Sequence, residues 1–162
     1  GLLLCLDFEK AFDSVDNGFM MNVLESFGCG PDFCQWIQTL YKNIKSTVSI
    51  NGKLAQWFPV ERGCRQGDPV SPYLFVMCVE IMALMIRQNK NINGIKIKDV
   101  EIKVVQYADD TELMLKEDAK SFEESMNTIE KFEKVSGLSL NTGKTMAVWL
   151  GSKRNSSIKY MP

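Results

Sequence analysis

The segment Val104–Leu115 reads VVQYADDTELML, in which two short apolar runs are separated by a pair of adjacent carboxylates. Aspartate is a poor strand residue, and neighbouring like charges repel each other. The pattern therefore predicts two antiparallel strands joined by a tight turn, with Asp109 and Asp110 where the strands meet. Taken alone, such a pair most often belongs to a solvated turn.

A third carboxylate, Asp7, ends the apolar stretch over residues 2–8, which reads as a buried strand. If this strand lies beside the two strands around Asp109 and Asp110, three carboxylates converge, which is unfavourable unless a cation neutralises them. Oxygen ligands select Mg²⁺ or Mn²⁺, and two such ions about 3.5–4 Å apart serve in-line phosphoryl transfer. Taken alone, an aspartate at a strand end is usually a turn or cap residue.

The remaining pattern predicts an α+β fold. Helices are expected over residues 18–27, 32–41, 73–88 and 118–135, a hairpin over 47–60, and strands over 95–98, 101–107, 112–116, 138–141 and 145–150. Asp16 or Asn17 is suited to cap the first helix, Ser71 to cap the third with Pro72 in its first turn, and Asn51–Gly52 to turn the hairpin. This order matches an antiparallel sheet with a ferredoxin-like split βαβ core and helices on one face.

The bulk composition is that of a globular protein, with 162 residues of which 45% are hydrophobic and 24% charged. We expect one domain over residues 1–162, cut from a longer polypeptide, because the chain opens directly into an apolar strand. The polar stretch Ser152–Ser157 reads as a loop. No membrane span is expected, since Glu80 and Arg87 interrupt the longest apolar run. The net charge of −1 argues against a strongly basic nucleic-acid surface.

The cysteines and the absence of histidine restrict the chemistry. The five cysteines form no C-x-x-C pair and lie mostly in apolar contexts, which suits reduced thiols inside the cell, in the nucleus and cytoplasm. Without histidine, a common Cys/His zinc site and Ser-His or Cys-His nucleophiles are excluded from this segment. Any catalysis here depends on carboxylates, lysines, hydroxyls or bound metal. The tryptophans are expected in the core (Trp36, Trp57, Trp149).

Four sequence blocks together resemble the reverse transcriptases. DFEKAFDSV at 7–15, RGCRQGDPVSPYLF at 62–75, YADD at 107–110 and SGLSLNTGKT at 136–145 are similar in kind, order and spacing to the motifs called A, B, C and D of that family. They look most like non-LTR (LINE-type) retrotransposon sequences and run through nearly the whole chain. The resemblance implies the palm of a right-hand polymerase, with fingers and thumb missing or truncated here.

The resemblance also implies a metal site. Asp7 matches the motif A aspartate that bridges two Mg²⁺ ions, for which Mn²⁺ can substitute, and Phe8 matches a residue whose backbone carbonyl contacts one ion. Asp109 matches the first motif C aspartate, a direct ligand. Asp110 matches the second, whose ligation is less direct.

Further residues match substrate positions of the family. Phe12 matches the bulky residue that crowds the sugar 2′ carbon and favours deoxynucleotides. Gln66 and Gly67 match positions near the incoming nucleotide and its template base, and Arg65 supports that loop or meets phosphate. Lys144 matches the motif D lysine near the triphosphate, where a cation can neutralise or protonate the leaving pyrophosphate.

The implied activity is RNA-directed DNA synthesis. The implied partners are an RNA template, a DNA primer, a deoxynucleoside triphosphate, and the fingers, thumb and an endonuclease of the parent polypeptide, with no membrane. The segment by itself is expected to be inactive, because template and primer would not be positioned. Two alternatives stay open: a group II intron-type or telomerase-like reverse transcriptase, and a non-catalytic relic palm that serves as a scaffold.

Overall fold

The strands and helices follow the predicted order along the chain. The computed structural model describes residues 1–151, so that Ser152–Ser157 lies outside the described residues. The helices are α1 (Ala11–Ser14), α2 (Asn17–Ser26), α3 (Pro31–Tyr41), α4 (Ser71–Gln88) and α5 (Ala119–Ser136). The strands are β1 (Leu2–Leu6), β2 (Lys45–Ser46), β3 (Ser49–Ile50), β4 (Lys53–Leu54), β5 (Phe58–Pro59), β6 (Ile95–Ile97), β7 (Val100–Ile102), β8 (Val104–Tyr107), β9 (Asp110–Leu115) and β10 (Met146–Trp149).

The central sheet has four antiparallel strands in the order β10-β1-β9-β8. In the β1–β9 ladder, Leu2 pairs with Leu115 and Leu4 with Leu113, and the last pair is Leu6 with Thr111. These leucines are buried, because successive side chains of a strand point to opposite faces and this face packs on the helices. The predicted α+β plan, with helices on one face of an antiparallel sheet, is confirmed.

Helix α4 is the central helix of the core and contacts α2, α5 and β8. It is the one described helix that could cross a membrane by length and composition, which corrects the expectation that Glu80 and Arg87 leave no such stretch. One side of the helix is buried in the core, including Phe75 and Met82 at 0% exposure.

The N-terminus of α2 follows the predicted capping chemistry, and that of α4 departs from it. The Asp16 carboxylate accepts a hydrogen bond from the Phe19 amide at 2.8 Å, so Asp16 rather than Asn17 caps α2. Asp118 caps α5 in the same way. The prediction that Ser71 caps α4 is wrong, because Val70 holds the cap position and Ser71 is the first helical residue.

The hairpin segment between α3 and α4 forms two short ladders, β2 with β5 and β3 with β4. Asn51 and Gly52 both have positive φ, at 50° and 78°, as a type I′ turn requires, and this predicted turn is confirmed. The expectation of core tryptophans is wrong for Trp36 and Trp57, which are 66% and 58% exposed. It is confirmed for Trp149, which is buried.

Two predicted strands are shorter in the structure. Residues 138–141 contribute one isolated bridge, Leu140 with Phe8, instead of a strand. The stretch over 101–107 divides at Lys103, whose side-chain amine donates to the Arg87 and Asn89 carbonyls at the end of α4. The lysine thereby supplies a cation to helix carbonyls that lack internal partners.

Two glycines allow neighbouring segments to touch the loop that follows β1. A Cβ at Gly63 would lie 2.7 Å from the Asp13 carbonyl oxygen, and one at Gly137 would lie 2.6 Å from the Ser14 carbonyl oxygen. Both contacts are backbone contacts, which cannot yield as a flexible side chain would. The segment 12–16 is therefore held from two sides by glycines 74 residues apart in the chain.

We expect Gly137→Ala to destabilise the fold much more than Gly28→Ala. Both glycines have positive φ, 78° and 76°, so both variants lose roughly 1–2 kcal/mol to the left-handed backbone. At Gly28 nothing lies within 4 Å of the added Cβ, whereas at Gly137 the clash with Ser14 adds about 1–3 kcal/mol. Urea unfolding of both variants measures the difference, and equal losses would contradict the close approach.

Candidate active site

The register of β1 and β9 brings Asp7 and Asp110 to adjacent positions. The last pair of this ladder is Leu6 with Thr111, so the next residues outward on the two strands are Asp7 and Asp110. Leu6 and Thr111 are buried on the helix side, and alternation places both aspartates on the open face. Residues directly opposite in a sheet have Cβ atoms about 4.5–5.5 Å apart, and like charges there are unfavourable.

Asp109 lies in the two-residue turn between β8 and β9. Tyr107 pairs with Asp110 across the turn, which leaves Ala108 and Asp109 as its central residues. Ala108 has a φ of 54°, while Asp109 is absent from the positive-φ residues, the pattern of a type II′ turn that ordinarily carries glycine first. An alanine there is strained by roughly 1–3 kcal/mol, and such strain is typical of functional turns.

No described cation neutralises this group of carboxylates. None of Asp7, Asp109 and Asp110 forms an ion pair with a lysine or arginine in residues 1–151. Over the same residues, no three Asp, Glu, Cys or His side chains lie close enough together to hold a metal ion. The main chain therefore brings the three aspartates to one end of the sheet, while their side chains do not converge. An all-oxygen donor set of this kind fits Mg²⁺ or Mn²⁺.

The backbone after Asp7 leaves the Phe8 carbonyl pointing toward β9. The Asn141 amide donates to the Asp7 carbonyl at 2.7 Å, and the Glu9 amide donates to the Ser139 carbonyl at 2.9 Å. Phe8 lies between these two bonds as the non-hydrogen-bonded member of the bridge with Leu140. In an antiparallel ladder the polar groups of such a residue face away from that partner. The Phe8 carbonyl therefore points to the side where Asp110 lies.

The turn that carries Lys144 is attached to the backbone of Asp7. Besides the Asn141 bond, the Asp7 amide lies 3.5 Å from the Thr145 hydroxyl. Within the turn, the Asn141 carboxamide oxygen accepts from the Lys144 amide at 3.2 Å and fixes its shape. The Lys144 side chain is exposed. Lys144 is thus placed on a short turn directly beside the strand end of Asp7.

The loop between β5 and α4, residues 60–70, hydrogen-bonds to the loop after β1. The Cys64 amide donates to the Phe12 carbonyl at 2.6 Å, and the Gly63 amide donates to the Val15 carbonyl at 2.7 Å. The Gln66 carboxamide donates to an Asp13 carboxylate oxygen at 3.0 Å. These bonds hold the Gln66 region against the segment that follows Asp7.

The ring of Phe12 is stacked on Phe75 of α4, with centroids 4.2 Å apart and planes 16° from parallel. Phe75 is fully buried, so its ring is a fixed support for Phe12. A cavity of about 380 Å³ opens beside the ring, and Arg65, Gln66 and Gly67 also line it. Nothing lies within 4 Å of a Cβ built on Gly67, so the backbone there is open to a ligand. The structure therefore brings Phe12 and these three residues to one cavity.

Arg65 is held by groups that the sequence did not single out. Its guanidinium lies 5.5 Å from the centre of the Tyr41 ring, and Nη2 lies 3.5 Å from an Asp68 carboxylate oxygen. Tyr41, Phe75 and Asp13 were all missed as neighbours of the site. Tyr41 offered a signal, because a tyrosine at the buried helical spacing of Cys34 and Ile37 needs a partner for its hydroxyl.

The comparisons with known proteins agree with this geometry. Residues 2–161 match the family described as reverse transcriptase (RNA-dependent DNA polymerase). The chain belongs to the reverse transcriptase family. The resemblance carried by the four sequence blocks is confirmed, because the match extends over nearly the whole chain.

The similar proteins are retrotransposon products. The chain is 31% identical over 151 residues to the transposon TX1 uncharacterized 149 kDa protein of Xenopus laevis, covering 92% of this chain and 11% of that protein. It is 26% identical over 147 residues to a Pol polyprotein from a type-1 retrotransposable element R2 of Popillia japonica, covering 90% of this chain and 20% of that one. The reverse transcriptase chain thus spans a fifth or less of these relatives, which are of the non-LTR class.

Telomerase from Candida albicans, solved in complex with a fragment of telomeric RNA, has a similar fold. The TM-score is 0.66 at 16% identity, over 93% of this chain and 27% of the telomerase chain. This likeness confirms the predicted reverse transcriptase palm fold.

Two buried thiols near the site predict a loss of stability at alkaline pH. Burial raises the pKa of Cys64 to about 11, and burial, with Cys64 nearby, raises the pKa of Cys78 to about 12. Unfolded thiols ionise near pH 9, so above that pH the unfolded chain binds fewer protons than the folded one and stability falls. The stabilising effect is complete below pH 9 and is lost as pH rises toward 12.

We expect Cys78→Ala to flatten this alkaline decline by at most about 1.4 kcal/mol per pH unit. Urea unfolding between pH 8 and 11 measures it. Val79→Ala, which truncates a buried neighbour without removing an ionisable group, is the control and should decline as steeply as the unmodified chain. Equal slopes for both variants would show that the Cys78 thiol does not ionise on unfolding.

Proposed function

We propose that this chain is the catalytic palm of an RNA-directed DNA polymerase of a non-LTR retroelement. The supporting observation is the placement of Asp7 and Asp110 side by side on the open sheet face, with Asp109 in the adjoining turn and no described cation beside them. In the reaction, a primer 3′-hydroxyl attacks the α-phosphate of a deoxynucleoside triphosphate and pyrophosphate leaves. Two bound Mg²⁺ ions, or Mn²⁺, supply the charge that such in-line transfer requires.

The metal ligands in this proposal are Asp7, Asp109, Asp110 and the carbonyl of Phe8. Each presents oxygen at one end of the sheet, and the aspartates lack a competing ion pair within residues 1–151. A divalent ion would relieve the repulsion that arises when these carboxylates converge. Lys144, on the turn attached to Asp7, neutralises the leaving pyrophosphate or gives it a proton.

The remaining residues of the site orient the substrates. The Phe12 ring occupies the space of a ribose 2′-hydroxyl, and stacking on Phe75 prevents it from moving aside. Gln66 and Gly67, at the cavity beside that ring, contact the incoming nucleotide and its template base. Arg65 lies at the same cavity and meets phosphate.

The partners in this proposal are an RNA template, a DNA primer and the rest of a longer polypeptide, including fingers, thumb and an endonuclease. The lengths of the retrotransposon relatives support this, since each is several times longer than the matched segment. That these relatives are retrotransposon products favours a retroelement enzyme over a group II intron-type or telomerase-like enzyme. The five free cysteines of the chain, three of them buried, suit a protein that acts in the nucleus and cytoplasm.

Replacement of Asp7 or Asp109 by alanine in the longer polypeptide should reduce primer extension on an RNA template by at least about 100-fold, because charge stabilisation at the phosphoryl group is lost. Asp99→Ala, at an exposed position between β6 and β7, is the matched control and should extend normally. Extension by the Asp7 variant at the control's rate would refute the proposed function. A folded protein that extends no primer even unmodified would point to the relic scaffold.

Replacement of Phe12 by alanine should reduce the preference for deoxynucleotides over ribonucleotides by about tenfold or more, because a 2′-hydroxyl would then fit. The ratio of kcat/KM for the two nucleotides measures it. Phe19→Ala removes a ring of similar burial that meets Phe132 edge-on in the helical core, and its selectivity should be unchanged. An unaltered ratio in the Phe12 variant would show that the Phe12 ring does not exclude the 2′-hydroxyl of the nucleotide.

A further inference from the structure

Tyr41 connects helix α3 to two points along the loop that carries Arg65, Gln66 and Gly67 and leads into α4. It is the last residue of α3 and is 7% exposed. Its hydroxyl lies 3.4 Å from the backbone amide of Arg65 and 3.2 Å from the hydroxyl of Ser71. One oxygen atom therefore bonds to the middle of the loop and to the residue at which the loop meets α4.

The Tyr41 hydroxyl also contacts Ser71, the first residue of α4. Ser71 is 1% exposed, so its hydroxyl must find a partner inside the protein. Tyr41 is that partner, and a buried pair of hydroxyls can satisfy each other because each both donates and accepts. The serine thereby ties the start of α4 to the end of α3.

The same tyrosine supports the Arg65 guanidinium through its ring. A guanidinium within about 6 Å of a ring centre is attracted to its face, and here the separation is 5.5 Å. Nε of Arg65 is buried and has no hydrogen-bond partner among residues 1–151. The guanidinium is positioned by the Tyr41 ring and Asp68, and Arg65, whose side chain is 38% exposed, lines the 380 Å³ cavity.

We propose that Tyr41 is a positioning residue that sets the Arg65 guanidinium for binding the phosphates of the incoming nucleotide. The proposal rests on the function proposed above and names a residue outside the four sequence blocks that resemble the family. Tyr41 does not itself touch substrate, since it is buried behind the loop. Its hydroxyl fixes the Arg65 backbone, and its ring fixes the side chain.

Tyr41→Phe tests the role of the hydroxyl, because it removes one oxygen atom while retaining the ring. In the longer polypeptide we expect KM for the deoxynucleotide to rise about three- to tenfold, with kcat changed by less than about twofold, as two weak hydrogen bonds are lost. Tyr73→Phe is the matched control, since Tyr73 lies two residues beyond Ser71 and is 72% exposed. Its kinetics should be unchanged.

The double variant Tyr41→Phe/Arg65→Ala separates positioning from a general loss of packing. If Tyr41 acts through Arg65, the KM of the double variant equals that of Arg65→Ala alone. If Tyr41 only stabilises the core, its effect multiplies that of Arg65→Ala, and that result would overturn the proposal. Thermal unfolding of each variant shows whether all of them are folded under the assay conditions.

Amide hydrogen exchange over residues 61–71 gives a second reading that does not require activity. The Arg65 amide should exchange faster in Tyr41→Phe, where its acceptor is gone, and at the original rate in Tyr73→Phe. If exchange and KM are both unaltered in Tyr41→Phe, the proposal fails. The proposed polymerase function is tested separately by Asp7→Ala, so loss of extension there with normal kinetics in Tyr41→Phe would overturn only the role of Tyr41.

Discussion

The pairing of Leu6 with Thr111 is the constraint on which the rest of the structure depends. It sets a register in which every second residue of β1 and β9 is buried under the helices and every other residue lies on the open face. A slip of one residue would turn the aspartates beyond this pair into the core and the leucines outward. Burying two charges costs far more than burying leucines gains, so the apolar face and the carboxylate face specify the same register.

The loop after β1 is where the separate blocks of sequence become one site. It receives backbone bonds from Gly63 and Cys64 on one side and from the end of α5 on the other, where the Asp16 amide donates to the Ser136 carbonyl. The loop therefore has little freedom of its own. A residue such as Phe12 can act as a steric barrier only if its ring cannot retreat, and the glycine contacts and the buried Phe75 together provide that rigidity.

Local chemistry made much of this fold predictable from sequence. The strands β1 and β9, capping by Asp16 and the Asn51–Gly52 turn each depend on neighbours within a few residues, and each was predicted correctly. Errors arose where a distant partner decided the outcome. Serine often caps helices, but the Ser71 hydroxyl is hydrogen-bonded to the Tyr41 hydroxyl, 30 residues away. Trp57 lies in the hairpin segment and is 58% exposed, which its residue type alone does not reveal.

The site showed a similar division between what the sequence could and could not give. The carboxylates and Phe12 could be selected because they fall in recognisable blocks, but the contacts that fix their neighbours come from α3 and α4, outside or at the margin of those blocks. Contacts between side chains of different helices and strands leave no periodic pattern in the sequence, so the sequence does not predict them. A buried tyrosine is visible in the sequence, whereas the identity of its partner is a property of the packed structure.

The net charge of −1 is a sum over segments of opposite charge. The segment 42–65 contains five lysines and arginines but one acidic residue, Glu61, and most of these side chains are exposed. The rest of the chain then holds 14 basic against 19 acidic residues, the aspartates at the sheet end among them. The positive charge of segment 42–65, which also carries exposed Trp57 and Phe58, thus coexists with an acidic sheet end in a chain of charge −1. An anionic polymer would interact with the charges near its point of contact rather than with the net charge of the chain, because salt screens charges more than about 8–10 Å away.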